Sequence, residues 1–311
     1  MPRREREGGP GGPAGHSRSG RRTSAGPVPV AGRHRVTTGE AELVPDAADP
    51  GRWTLLVNGV PSSPVQLDDA TVLEFEYLRW MADVVDVAWA PQETLDVVHL
   101  GGAGCALPRY VEAVRPGSRQ VVIELDAELA RLVRTWFDLP RSPRLRIQVA
   151  DARDGLARRH DASADVVVRD VFAADATPQH VRTAQFVADV ARVLRTGGIY
   201  LANVADAPPL HGLRAELATV SSVFAHVALV GETAMLRGRR YANAVVAASQ
   251  HPLPLAALQR TVSSGAVAAR LVHGARLGDL AGAASPLSDP PGREPWGDGS
   301  DASPQDTRGQ G

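Results

Sequence analysis

An apolar strand running into a glycine-rich turn, residues 95–105 (LDVVHLGGAGC), constrains this chain more than any other stretch. Two further strands with acidic ends follow it, VVIELD at 121–126 and IQVADA at 147–152. A tight turn, a carboxylate about twenty residues on, and another carboxylate after the next strand are the parts that hold an adenosine at the carboxyl edge of a parallel sheet. The alternation continues. Strands are expected at 95–100, 120–125, 145–149, 165–169 and 199–204, and helices at 107–115, 127–137, 153–159, 178–195 and 209–222. Near-continuous apolar strands separated by helices predict an α/β protein whose parallel sheet is covered on both faces. Two last strands, 224–230 and 241–248, read as a hairpin turning at Arg237 to Arg240 that adds an antiparallel strand.

Ahead of this domain, residues 53–61 read as a strand, a turn at Asn58 and Gly59, and a return. A helix is expected over 68–88, opened by Asp68 and Asp69, with Leu73, Tyr77, Trp80, Met81 and Val84 at helical spacing. The chain then divides into a basic tail (1–38), a small hairpin-and-helix module (39–90), a nucleoside-binding domain (91–250), weak C-terminal helices (251–284) and a second tail (285–311). Residues 1–35 carry eight Arg against two Glu, and 285–311 carry five acids against two Arg. Both ends are rich in Gly, Pro and Ser and poor in large apolar residues, so both are expected to be disordered. The basic arm reads as a solvated tail rather than a nucleic-acid-binding arm.

Absences narrow the chemistry. The chain has no lysine, which removes phosphate-loop lysines, Schiff-base lysines and kinase-type ion pairs. Its one cysteine, Cys105, excludes internal disulfides and cysteine-based zinc clusters. No apolar run is long enough to span a bilayer, and Arg21 and Arg22 are not followed by the apolar segment of an export signal. A formal net charge of −1 supplies no global field toward nucleic acid or membrane. The expectation is a cytoplasmic protein with no metal site.

The candidate site is assembled from strand ends. Gly101, Gly102 and Gly104 let backbone approach a ligand at a helix N-terminus. Leu107 occupies the place where a dinucleotide fingerprint wants a third small residue, which counts against a pyrophosphate. Glu124 ends the second strand, where a carboxylate accepts both ribose hydroxyls, whereas Asp126 reads as a helix cap. Asp151 can accept from an adenine amino group beside the small Ala152, or simply cap the next helix. Asp170, ending the fourth strand, can hold an incoming amine and take its proton, or be a capping acid in a polar loop. His99 reads as a packed core histidine and Cys105 as a small residue filling a turn.

Taken in order, residues 55–60 (LLVNGV), 74–77 (EFEY), the glycine turn with 107–111 (LPRYV), 122–126 (VIELD), 151–153 (DAR) and 165–170 (DVVVRD) resemble the spermidine synthase (polyamine aminopropyltransferase) family. The resemblance runs over residues 52–250. It implies a seven-stranded methyltransferase-like (Rossmann-type) sheet, a small N-terminal β-domain and a homodimer. It further implies S-adenosylmethionine or its decarboxylated form as co-substrate and a small-molecule amine as acceptor. Glu124 would bind ribose, Asp151 would contact adenine, Asp170 would assist the amine, and Tyr77 would line the cleft. Three positions depart from the family pattern. Gly104 and Ala173 stand where the family carries Asp, and Leu78 where it carries His or Gln; Asp175 is a candidate substitute for the missing second carboxylate. Methyl transfer on the same scaffold and a non-catalytic nucleoside-binding paralogue stay open as alternatives. A nicotinamide dehydrogenase is disfavoured by the glycine pattern and the closing hairpin.

Overall fold

The computed structural model describes residues 29–173 and 176–291. Most of both expected tails, Arg21 and Arg22, and Asp175 lie outside the described residues. The chain opens with a four-stranded antiparallel meander, β1 (Gly32–Val36), β2 (Gly39–Pro45), β3 (Arg52–Val57) and β4 (Val60–Gln66), hydrogen-bonded in that order. The β3–β4 turn falls at Asn58 and Gly59 as expected, and Asn58 Oδ1 accepts from the Glu40 N–H at 2.9 Å. β1 corrects the expectation that residues 1–38 are disordered. Its sequence, GRHRV, is too polar to announce a strand, but Val36 is buried and the His34 ring lies 4.9 Å from that of Trp136. Pairing with β2 and packing against a distant helix order it, which local composition does not encode.

α1 (Glu76–Ala88) starts eight residues later than expected. Asp69 caps nothing; it closes a local turn by accepting from the Thr71 amide at 2.9 Å and hydroxyl at 2.6 Å. The helix still presents Tyr77, Trp80, Met81 and Val84 to the core, joined from the preceding turn by Leu73.

The main sheet is built from β5 (Asp96–Leu100), α2 (Ala106–Val114), β6 (Arg119–Glu124), α3 (Ala127–Trp136), β7 (Leu145–Val149), α4 (Ala152–Ala157), β8 (Ala164–Arg169), α5 (Ala184–Val193), β9 (Leu194–Asp206), α6 (His211–Ser221), β10 (His226–Glu232), α7 (Thr233–Leu236), β11 (Ala242–Ser249), α8 (Leu255–Ser264), β12 (Ala269–His273) and α9 (Ala275–Ala281). Strand order is β12-β10-β11-β9-β8-β5-β6-β7. β5 to β9 are mutually parallel, while β11 runs antiparallel to both β9 and β10. The sheet therefore has eight strands, not seven. β12 (ARLVH) lies in the stretch expected to be weakly helical, and it exists because β10 offers it an open edge. The expected helix 178–195 is likewise divided: a 3₁₀ turn at Gln179–Val181 precedes α5, whose first turn is capped by the Thr183 hydroxyl.

The chain order reverses between β5 and β8, so their carboxyl ends open a crevice at the topological switch point. Apolar residues fill both faces of the sheet, and a third cluster joins the meander to β6 and α3 through Leu43, Leu55, Val122, Leu129 and Trp136. At the other end, residues 285–289 correct the boundary of the second expected tail. The Leu287 carbonyl accepts from the Ala184 N–H at 2.8 Å, and the Asp289 carboxylate pairs with the buried Arg153 at 2.5 Å. Among the described residues no helix is long and apolar enough to cross a membrane, and no group of three or more His, Cys, Asp or Glu is placed to hold a metal ion.

Candidate active site

The glycine turn sits at the centre of the crevice because its neighbours leave no room for side chains. Gly101 has a φ of 79°, and a Cβ there would collide with the Asp170 carbonyl oxygen. This close approach is stitched by two backbone bonds, Gly101 N–H to Ile123 C=O and Asp170 N–H to Leu100 C=O, each 2.9 Å. The turn after β5 and the end of β8 are thereby held as one unit. Gly104 faces the meander instead. Its N–H donates to Ser63 Oγ at 3.0 Å, and a Cβ on it would lie 2.7 Å from the Ser63 Cβ. An Asp at position 104 would therefore require β4 to move away.

Glu124, at the end of β6, turns back onto the turn. Its Oε2 accepts from the Gly102 and Ala103 N–H groups at 3.2 and 3.3 Å, and its Oε1 from the Asp126 N–H at 3.1 Å. Burial pushes its carboxyl above the usual range, against the pull of those three amides. Asp126 is the expected cap of α3, accepting from the Leu129 N–H at 2.8 Å, and it also receives Thr37 and Thr38 of the β1–β2 turn. Burial alone would raise its pKa, but these donors hold it down at about 2. One carboxylate thus anchors the N-terminal sheet beside the crevice.

Asp151 follows β7 and caps α4 through the Arg153 and Asp154 N–H groups, while its Oδ2 lies 2.9 Å from His180 Nε2. Ala152 beside it is buried. Asp151 joins the other strand ends through its neighbour, since the Ala150 N–H donates to the Glu124 carbonyl at 3.0 Å.

A second cluster gathers around Asp170. Tyr77 Oη, brought in by α1, donates to Asp170 Oδ2 at 3.1 Å, and Asn203 Nδ2, from β9, donates to Asp170 Oδ1 at 2.9 Å. Burial raises the Asp170 carboxyl above the usual carboxylate range, with both hydrogen bonds opposing it. Burial and the adjoining carboxylate push the Tyr77 phenol well above its ordinary value, so it stays protonated. Asn203 is 2 % exposed, and among the described residues its Oδ1 has no partner. A buried amide oxygen left without a donor is costly in a stable core and marks a place where a ligand N–H can be received.

Sequence reasoning missed Asn203, Ser63, His180 and Arg169. Asn203 carried a legible signal, an amide inside an otherwise apolar strand (IYLANVA, 199–205). Arg169 carried another: a fully buried cation, it donates to the Asn203 and Val181 carbonyls and pairs with Glu216 at 3.0 Å. Ser63 and His180 reach the crevice only through tertiary packing. Of the departures, Leu78 is buried beside Tyr77, while Ala173 stands on an exposed loop bridged to Ala176. His99 is a core residue, its Nε2 2.9 Å from Gln120 Oε1 and its pKa lowered to about 4 by burial. Cys105 is buried, with its thiol pushed up to about 12, chiefly by burial.

The eight-stranded mixed sheet with its glycine turn at the switch point places the chain in the class of α/β proteins with a methyltransferase-like fold. A crystal structure of a probable spermidine synthase from Corynebacterium glutamicum ATCC 13032 superposes with a TM-score of 0.81 at 38 % identity, covering 87 % of this chain and all of that one. At that identity and coverage the chain belongs to the spermidine synthase family. Among curated proteins, a polyamine aminopropyltransferase of Vibrio vulnificus (strain CMCP6) is 25 % identical over 134 residues, 42 % of this chain and 44 % of that protein. An eEF1A lysine and N-terminal methyltransferase of Xenopus laevis is 26 % identical over 122 residues, 36 % of this chain and 17 % of that protein. The chain thus spans less than half the length of either curated relative. No protein-family model matches it.

Proposed function

We propose that the protein transfers an aminopropyl group from decarboxylated S-adenosylmethionine to a small-molecule amine. The observation that carries this reading is the Tyr77–Asp170–Asn203 chain, in which a sheltered carboxylate of raised pKa stands between a phenol and an amide whose oxygen is unpartnered. Glu124 and Asp151 would hold the ribose hydroxyls and the adenine amino group of the co-substrate. Its sulfonium supplies the leaving group. The amine nitrogen attacks the carbon next to that sulfonium; a C–N bond forms, the C–S bond breaks with its electron pair going to sulfur, and the amine proton passes to Asp170. Asn203 Oδ1 would receive the second N–H of the amine and Tyr77 would fix the carboxylate. Alignment and exclusion of water supply most of the rate. The same reading takes the active form as a homodimer.

One observation favours a second reading. The family's aminopropyl-binding Asp is Gly104 here, and Ser63 fills the space that side chain would need. Methyl transfer from intact S-adenosylmethionine has no use for that carboxylate. Calorimetric titration of the full chain with both forms of the co-substrate separates the two. Tighter binding of the decarboxylated form is expected; tighter binding of the intact form would transfer the assignment to methylation, and binding of neither would sink both. Glu124→Ala should weaken nucleoside binding roughly 10- to 100-fold, the worth of a hydrogen-bonded charge. Because Glu124 also holds the Gly102 and Ala103 amides, Glu124→Gln serves as the control that keeps one acceptor. Unchanged affinity in both variants would remove Glu124 from the site.

A further inference from the structure

The far end of the main sheet carries a cavity of about 220 Å³ whose lining includes no residue of the Tyr77–Asp170–Asn203 cluster. Three separate elements supply its rim: Arg237 directly after α7, Arg270 on β12 and Arg276 in the first turn of α9. Thr233, Leu236, Leu271 and Leu280 complete the lining. All three arginines are exposed, and among the described residues none of them makes a side-chain hydrogen bond or ion pair. Several other arginines at this sheet are neutralised. Arg119 and Arg195 share Asp96, Arg195 also holds Asp165, and Arg192 holds Asp161 and Asp189.

Three like charges gathered on one concavity repel each other, and a multiply charged anion bound among them would turn that repulsion into attraction. The guanidinium fork matches carboxylate and phosphate oxygens bidentately. A single carboxylate would satisfy one of the three arginines. A phosphate group, with a charge of about −1.5 to −2 and three acceptor oxygens, matches the set. The volume falls below the roughly 300–1,000 Å³ of pockets that enclose drug-sized ligands, which leaves space for phosphate and a small organic group but not for a dinucleotide. The leucines would meet the apolar part of such a molecule. We propose that this cavity binds a small phosphorylated molecule or diphosphate through Arg237, Arg270 and Arg276.

The test titrates the full chain with inorganic pyrophosphate, by calorimetry and thermal shift, against sodium chloride at matched ionic strength. A saturable rise in Tm is expected with pyrophosphate and not with chloride. The Arg270→Gln/Arg276→Gln double variant should lose at least tenfold in affinity while its unliganded Tm stays close to the parent's. If that pair disturbs β12, the single change Arg237→Gln, after the end of α7, should weaken binding in the same direction. An equal response to chloride, or an undiminished response in both variants, would overturn the site. Tighter binding of a single-stranded oligonucleotide than of pyrophosphate would also overturn it, by making the arginines a polyanion surface.

Discussion

Replacing Asp170 with Asn is expected to abolish turnover by a factor of about 10²–10⁴, the usual worth of a positioned general base, while nucleoside affinity stays close to that of the parent. The amide preserves the shape of the side chain, and its oxygen still accepts from Tyr77 or Asn203. What disappears is the site for the amine proton. The pH dependence follows from the direction of the Asp170 shift. Burial raises its pKa, so the carboxylate must be ionised in a range where an ordinary Asp would long have been charged. The parent's rate should therefore fall, as pH is lowered, earlier than a solvent-exposed carboxylate would dictate. Stability moves the other way. A carboxyl whose folded pKa lies above its unfolded value contributes stability below the unfolded pKa and loses it as pH rises through the folded pKa. The Asn variant, uncharged throughout, should gain in Tm relative to the parent as pH is raised. A variant that keeps full turnover would place the base elsewhere. A variant whose Tm drops below the parent's at alkaline pH would show that the carboxylate is structural.

The largest effect on stability is expected from Glu216→Ala. Glu216 is 2 % exposed and faces two guanidiniums: Arg169, fully buried, at 3.0 Å and Arg182 at 2.6 Å. Removing the carboxylate leaves the Arg169 cation buried without a counter-charge, a loss of about 3–5 kcal/mol. Against a typical total of roughly 5–15 kcal/mol, that should lower the urea midpoint severely. Arg169 also donates to the Asn203 carbonyl at 2.8 Å, so the same change should slacken the strand that presents Asn203 to Asp170 and lower turnover. The cost belongs to the orphaned charge rather than to the pair as such. Replacing the fully buried pair, as Arg169→Met with Glu216→Leu, should therefore recover part of the stability, the remainder being the cost of leaving Arg182 without its carboxylate. A loss below about 1 kcal/mol in the single variant would mean that Arg169 finds water or another acceptor.

The family membership was legible in the order of short motifs over residues 52–250, and several element bounds and caps were legible because their signals are local. β7 occupies Leu145–Val149, the expected bounds, and Asp126 caps α3, because an apolar run and a carboxylate just before a helix act through neighbouring residues alone. β1 and β12 were not legible. Each is five residues long and carries Arg and His, and each is a strand only because a partner strand lies beside it. The late start of α1 has a mixed origin: Asp69 is engaged locally by Thr71, and the helix is positioned by its buried face. Arg153 shows how far such effects reach: a residue in a recognisable motif is held by Asp289, 136 positions away.

By itself the sequence determined the alternating α/β order, the glycine turn and the succession of acids at strand ends. Each depends on the period of apolar residues and on backbone sterics within a few positions. Tertiary structure alone decided which groups meet at the candidate site. Tyr77 reaches Asp170 across 93 residues, Asn203 reaches it across 33, and Ser63 reaches Gly104 across 41. Such pairings are set by sheet order and by the packing of the meander on α3, which only the folded chain specifies. The orphan Asn203 oxygen and the filled space at Gly104 arise there, and they bear most directly on which group the protein transfers.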